Sequence, residues 1–451
     1  MDILIGMSIT FILLIMCVFK GIFVGYPLLF GFCFFVLISY KKGFTLKEIF
    51  KMAFEEGKKS FIVLEIFVLI GMITSIWMAS GTVPSIIYYA LKYINLNFFV
   101  VYAFVITCIV GFLLGTSLGT VSTIGIALIL IAKSAGMNVN LVAGAILSGA
   151  YFGDRCSPVS SSAFLVANLT NTNLYTNLSN MIKTSIVPFI LTVIIYYIFS
   201  INSHIGTADI TIGNEIFKTF EVGIVILVPA IIILVFSAFK VNVMISMGVS
   251  IISACIISVV YQGHTVFELL KILVFGFELD SSNSLHGILI GGGILSMWQA
   301  AFIIFISCCL SGIFTGTNML KRVEDLLMKA EGRFSLFVYN IIVSTLTAAF
   351  GCNQSISSVL TYNLLHKSYE KNEVDNYKLA LDLENTGIVL SAIIPWNLAA
   401  FAPALTMNLN AAGFIPYAFY LFLIPFINLL FIKIMPCGKY EKYHKIVSLN
   451  K

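Results

Sequence analysis

Apolar runs of membrane-crossing length follow one another along almost the entire chain. Ile3 to Phe19 is one, and Gly21 to Tyr40 follows at once. A helix needs roughly 20 apolar residues to cross the hydrocarbon layer. Soluble domains carry about 25% charged residues, whereas this 451-residue chain carries 10%, with 59% hydrophobic. These two facts leave one fold class, an all-α polytopic membrane protein. The first run lacks a basic leader and a small-residue cleavage site, so 3–40 reads as a retained helical hairpin. Ten crossing helices are expected at 3–19, 21–40, 61–79, 141–168, 184–200, 222–239, 243–262, 287–310, 380–404 and 412–434. Two further apolar stretches, 98–131 and 334–365, are interrupted by Gly115-Thr-Ser-Leu-Gly119 and Gly351-Cys-Asn-Gln-Ser355. Each enters and leaves on one side, either as a re-entrant hairpin or as two spans.

The chain reads as one transporter domain, 1–451, made of two related halves, about 1–200 and 221–434. Gly43-Phe-Thr-Leu-Lys-Glu48 matches Gly263-His-Thr-Val-Phe-Glu268. Ser80-Gly81 then matches Ser311-Gly312, the interruption at Gly115 matches that at Gly351, and Pro158-Val-Ser160 matches Pro395-Trp-Asn397. Four matches in one order point to an internal repeat. Lysine and arginine give the orientation. With the N-terminus inside, the segments 41–59, 169–183, 240–242, 321–333, 366–379 and 433–451 face the cytoplasm and hold 20 of the 26 basic residues. That obeys the positive-inside rule. It places both termini in the cytoplasm and five crossings in each half, which makes the halves inverted. Inverted repeats suit alternating access, because each half can adopt the conformation of the other.

Other classes are set aside. The nine cysteines are scattered without zinc-like spacing or a disulfide framework. The net charge of +5 is localised to loops and gives no nucleic-acid signature. Gly115-Thr-Ser-Leu-Gly119 fits G-x-S-x-G but lies between apolar helices rather than on a strand–turn–helix. There is no H-E-x-x-H and no P-loop. The chain is therefore expected to be no enzyme, to carry no cofactor, and to be driven by a gradient.

Three constellations can carry chemistry. The first is Ser148 to Ser162, where Asp154, Arg155, Pro158 and several hydroxyls interrupt an otherwise apolar segment. A charge at membrane depth usually faces protein or a water-filled path. Asp154 with Ser157, Ser160, Ser161 and Ser162 can replace the hydration shell of a small cation, and protonation would release it. The structural alternative is a proline kink with an internal Asp154–Arg155 pair. The second is Leu383-Glu-Asn-Thr-Gly387 with Ile394-Pro-Trp-Asn397. It offers Glu384 as a buried carboxylate, with Asn385, Thr386 and Asn397 as neutral oxygens. Trp396 either stacks on a substrate or packs. The third is the pair of interruptions, with Thr116, Ser117, Asn353, Gln354 and Ser355 near mid-membrane. Unwound backbone is tolerated there only when buried or lining a cavity. Glu65 is a lone acid near a basic loop.

Several of these runs resemble NhaC-type Na+/H+ antiporters of the ion transporter superfamily. The resemblance is carried by Ser80-Gly-Thr-Val-Pro84, Gly115-Thr-Ser-Leu-Gly-Thr120, the segment Gly144 to Pro158, Gly291-Gly-Gly-Ile-Leu-Ser-Met297, Leu383-Glu-Asn-Thr-Gly387 and Ile394-Pro-Trp-Asn397. It implies an inner-membrane secondary transporter with inverted repeats, and it places Asp154 and Glu384 at family site positions, as transient Na+ ligands. The chain departs from the family at Ser161, Asn353 and Asn385, where Asp is usual. Na+/H+ exchange by alternating access is thus the leading expectation, with Na+ and H+ as the transported partners. The alternative is a Na+- or H+-coupled transporter of an organic acid or amino acid. The remaining partner is the lipid bilayer, and a homodimer is compatible with the sequence.

Overall fold

The computed structural model describes residues 2–20, 22–93, 96–158, 160–201, 209–239, 241–280, 283, 285, 289–317 and 330–434. Of the cytoplasmic segments expected at 321–333 and 433–451, residues 321–329 and 435–451 lie outside these. Helices dominate: α1 (Asp2–Lys20), α2 (Gly25–Lys41), α3 (Leu46–Gly57), α4 (Phe61–Ala79), α5 (Thr82–Tyr93), α6 (Phe99–Leu114), α7 (Ser117–Ser134), α8 (Val139–Cys156), α9 (Ser161–Leu169) and α10 (Leu174–Ile201). The chain continues through α11 (Asp209–Thr219), α12 (Val228–Ala238), α13 (Val243–Val260), α14 (Val266–Phe275), α15 (Trp298–Gly316), α16 (Gly332–Gly351), α17 (Gln354–Lys371) and α18 (Asn376–Leu383). A π turn at Glu384–Ile388 and the short α19 (Val389–Ser391) lead to α20 (Leu398–Thr406), α21 (Ala411–Phe414) and α22 (Phe419–Ile434). Five described helices are long and apolar enough to cross a membrane, or seven if each of two bent pairs counts as one span. This is an all-α membrane architecture.

The sequence signals act locally through caps and glycines. Thr45 and Thr265 each close a capping box with the Glu three residues on, opening α3 and α14. Gly43 and Gly263, just before them, both have positive φ. The two interruptions are also built alike. Gly115 ends α6 and Cys352 ends α16, each in the left-handed conformation. Thr116 and Asn353 follow in extended backbone and cap the next helix. Ser160 and Asn397 cap α9 and α20 in the same way.

Several boundaries differ from the sequence reading. The crossing expected at 287–310 becomes helical only from Ile294, first as a 3-10 turn and then as α15 from Trp298. Gly291, Gly292 and Gly293 all have positive φ, and Gly291 pairs with Phe277 in a two-stranded ladder. The Gly293 N–H donates to the Gly71 carbonyl at 2.7 Å. Three residues free of Cβ allow extended backbone to lie against α4 where a helix would not fit. The segment 380–404 is broken twice, at the π turn and at Ala392–Asn397. The segment 141–168 breaks at Ser157–Ser160, and the helix expected at 184–200 already begins at Leu174. Ser80-Gly81 ends α4, and the chain bends by 66°, whereas Ser311-Gly312 lies inside α15.

The tightest packing positions the site. A Cβ built on Gly153 of α8 would stand 2.4 Å from the Gly111 carbonyl carbon and 2.5 Å from the Phe112 nitrogen on α6. At Gly149, one turn earlier, it would meet Thr107 and the Phe104 carbonyl oxygen. Small residues at this spacing let two membrane helices touch backbone to backbone. They hold the end of α8, with Asp154, against the break after α6.

Candidate ion-binding site

Asp154 is 2% exposed. Its Oδ1 accepts hydrogen bonds from Ser160 Oγ at 2.9 Å and Ser162 Oγ at 3.3 Å, and the two serines stand 2.8 Å apart. Ser117, at the start of α7, lies against the same carboxylate. The first candidate and the first interruption therefore meet. Proline and the Ser157–Ser160 break turn the chain back, so that hydroxyls after the break face an acid before it. Ser157 is fully buried in that turn. Ser161, by contrast, is on the exposed side of α9. Ser162→Ala removes a hydrogen bond to a buried carboxylate and is expected to lower the melting temperature of the detergent-purified protein, at a cost of about 1.5–3 kcal/mol. Ser161→Ala should cost less than about 0.5 kcal/mol, as surface changes do. Melting curves on the two variants check the pair.

Arg155 does not pair with Asp154. A residue step on a helix rotates the side chain by about 100°, and the guanidinium reaches away. It is fully buried. It donates to Ser185 Oγ at 2.5 Å, Thr184 Oγ1 at 3.3 Å, Tyr420 OH at 3.4 Å and the Met181 carbonyl at 3.5 Å. It also donates to Asn385 Oδ1. Its Nε has no partner. All these acceptors are neutral.

Glu384 opens the π turn and is 1% exposed. Neither carboxylate oxygen has a hydrogen-bond partner. Asp154 and Arg155 are the charges that act on it. Two residues earlier, Asp382 is also buried, but it is satisfied. Arg333 grips it through two hydrogen bonds of 2.5 and 2.6 Å, and Tyr369 OH donates to it at 2.6 Å. Tyr369 also accepts from Asn340, whose oxygen accepts from Ser344 and Thr386. Thr386 is thus spent on a polar network between α16, α17 and the π turn. An extra residue in a π turn displaces the side chains that follow it. Here it separates a paired acid from an unpaired one. An isolated carboxylate in a low-dielectric interior is costly unless a proton or a cation neutralises it.

The other sequence candidates divide. Gln354 joins the first half of the chain, because Tyr151 OH donates to its Oε1 at 3.1 Å. Asn353 is a helix cap that accepts from the Ser355 N–H, and Ser355 is exposed. Thr116 caps α7. Trp396 and Asn397 brace the second break. The indole N–H donates to the Ala349 carbonyl at 2.8 Å, and Asn397 Nδ2 donates to Ala348 at 2.7 Å. Trp396 packs edge-on against Phe11. Glu65 is exposed on α4. Sequence reasoning missed Tyr151, Thr184, Ser185 and Tyr420. Each is a neutral polar group on a helix, and only the helix-to-helix contact shows its partner. No group of three or more His, Cys, Asp and Glu suited to a tightly held metal occurs among the described residues. Asp154, Glu384 and the neighbouring serine hydroxyls offer oxygen atoms alone as ligands.

Broken, apolar helices around buried, incompletely satisfied acids define a secondary transporter of the membrane. Comparison with known proteins agrees. The sequence model of the Na+/H+ antiporter family matches residues 149–434, well over half of the chain. The chain belongs to the Na+/H+ antiporter family. It is 28% identical over 388 residues to the malate-2H+/Na+-lactate antiporter of Bacillus subtilis (strain 168), covering 85% of this chain and 83% of that protein. It is 27% identical over 376 residues to the Na+/H+ antiporter NhaC of Alkalihalophilus pseudofirmus, covering 81% and 80%. It is also 27% identical over 420 residues to the arginine/ornithine antiporter ArcD of Halobacterium salinarum, covering 89% and 85%. This is a family of transporters, not of enzymes.

Proposed function

We propose that this chain exchanges Na+ for H+ by alternating access, with Asp154 and Glu384 taking the cation or the proton in turn. The observation that carries this reading is Glu384: a buried carboxylate with no internal partner. Both oxygens stay free for a cargo, while Asp382 beside them is locked to Arg333. Asp154, with the serine hydroxyls around it, supplies the second half of the coordination. Fixed Arg155 charge limits the repulsion between the two acids and stands clear of both in hydrogen-bonding terms.

The matched caps before α3 and α14, and the matched breaks after α6 and α16, support two inverted halves of five crossings each. The basic loops then favour both termini in the cytoplasm. In that arrangement each break contributes polar backbone and side chains near the membrane centre, where a site can face either side in turn.

A second reading is favoured by specific residues. Asn385 donates no charge to the site and accepts from Arg155, and Asn353 is spent as a cap. Fewer titratable groups suit coupled movement of an organic ion alongside Na+ or H+. The named substrates of the Bacillus subtilis and Halobacterium salinarum relatives fit that variant.

Purified protein in proteoliposomes separates the two. Na+ added alone to vesicles holding an acid-inside pH gradient is expected to dissipate it. Glu384→Gln should reduce that rate to near the protein-free leak, with the protein still monodisperse in detergent. Dissipation by organic acid or amino acid counterflow but not by Na+ would replace the leading reading with the second. Unchanged Na+ exchange in Glu384→Gln would remove Glu384 from the mechanism.

A further inference from the structure

Two buried groups of opposite charge each lack a bond, and they belong to the same site. Among the described residues, the Arg155 Nε–H and both carboxylate oxygens of Glu384 are the buried charged atoms without a hydrogen-bond partner; the other unpartnered buried atoms belong to serines and an asparagine. Arg155 is fully buried and Glu384 nearly so, so neither group turns to water for its missing bond. An orphaned charge in such an interior is costly. Arg155 acts on Glu384 electrostatically.

The other buried acids are not open to Arg155. Asp382 is held by Arg333 and Tyr369. Asp154 directly precedes Arg155 on α8, and a one-residue step of about 100° turns it away, onto Ser160 and Ser162. Glu384 has the better approach. In a guanidinium the Nε–H and an Nη2 N–H point the same way, as one side of the fork that carboxylates grip. Asn385 Oδ1 already occupies Nη2, and Glu384 is its neighbour in the π turn. The free Nε–H therefore lies on the edge of the guanidinium that faces the π turn. Thr184, Ser185 and Tyr420 hold the rest of the group in place from α10 and α22.

We propose that Arg155 is the internal counter-ion of Glu384 between cargoes: when Na+ leaves, the carboxylate rotates onto the Nε–H, and the next Na+ displaces it. This deepens the exchange reading above and rests on it. The guanidinium stands in for the departing cation, so release leaves no bare carboxylate in the interior. Because the same guanidinium touches α10, α22 and the π turn, the occupancy of Glu384 is felt in all of them.

The chain has three arginines, Arg155, Arg322 and Arg333, which makes their side-chain NMR signals separable. The test uses full-length protein in detergent with isotope-labelled arginine, at fixed, mildly alkaline pH, with the Arg155 Nε–H signal assigned by Arg155→Lys. In choline buffer free of Na+, the wild-type signal is expected downfield of its position in Glu384→Gln, as for an N–H bonded to a carboxylate. Na+ should move it toward that position, saturating over the concentrations that saturate gradient dissipation, and should not move it in Glu384→Gln. Arg333, gripping Asp382, is expected to ignore Na+ and serves as the internal reference. A wild-type Arg155 signal that ignores Na+ would overturn the inference, even if Glu384→Gln failed to fold. So would coincident signals of the two proteins in choline, or the same Na+ response in both. The exchange reading fails on a different observation, a pH gradient that Na+ leaves intact in wild-type proteoliposomes.

Discussion

Asp154→Asn is expected to reduce Na+-driven dissipation of a pH gradient to the rate of protein-free vesicles. The substitution keeps the side-chain shape, so the Ser160 hydroxyl still has an oxygen to reach. The folded protein should persist as a monodisperse peak with a melting temperature close to that of the wild type. What disappears is the charge. An amide neither attracts a cation strongly nor exchanges a proton near neutral pH, so both halves of the exchange cycle fail together. The contrast with Glu384→Gln is informative. If both acids form one site, either change alone suffices and the double variant is no worse, because groups acting as a unit are not additive. Proteoliposome flux on the two single variants and the double variant measures this. Normal coupled flux in Asp154→Asn would reduce Asp154 to a structural role.

The second large effect falls on folding. Gly153→Val should prevent the protein from reaching a stable, monodisperse state. Its Cβ would enter the backbone of Gly111 and Phe112 at 2.4 to 2.5 Å. No flexible side chain is available to move aside, so α6 and α8 must separate. Overpacking in a well-packed core costs about 1–3 kcal/mol. Here the lost interface is itself the main association between the two helices, because lipid supplies no hydrophobic drive to restore it. Gly153→Ala should show the same defect in milder form. Melting curves by fluorescence-detected size exclusion rank the three proteins. An unperturbed melting temperature in Gly153→Val would show that the helices do not approach so closely.

The residues of the candidate site were legible to different degrees, and the reasons differ by residue. Asp154 and Glu384 stood out because an acid in an apolar run has few structural excuses. The helix breaks at 115–116 and 352–353 were legible from glycine and small polar residues in apolar stretches. Ser161 and Ser162 were not separable, because both follow the same proline and differ only in which side of α9 they take. Trp396, which the sequence left open between stacking on a substrate and packing, and Asn397 brace a break through Ala349 and Ala348. Asp382 and Glu384 are two buried acids two residues apart. Their difference depends on Arg333 and Tyr369, which lie on other helices.

The sequence by itself determined the class of molecule and the chemistry on offer: apolar runs of spanning length, few charges, and carboxylates where carboxylates are expensive. These are properties of single segments, set by the cost of burying polar groups in hydrocarbon. Only the tertiary structure decided which polar groups satisfy one another. It left Asp382 and Arg155 engaged and Glu384 without a partner. Hydrogen bonds are short-ranged and directional, so that outcome depends on how distant helices pack, which no single segment encodes.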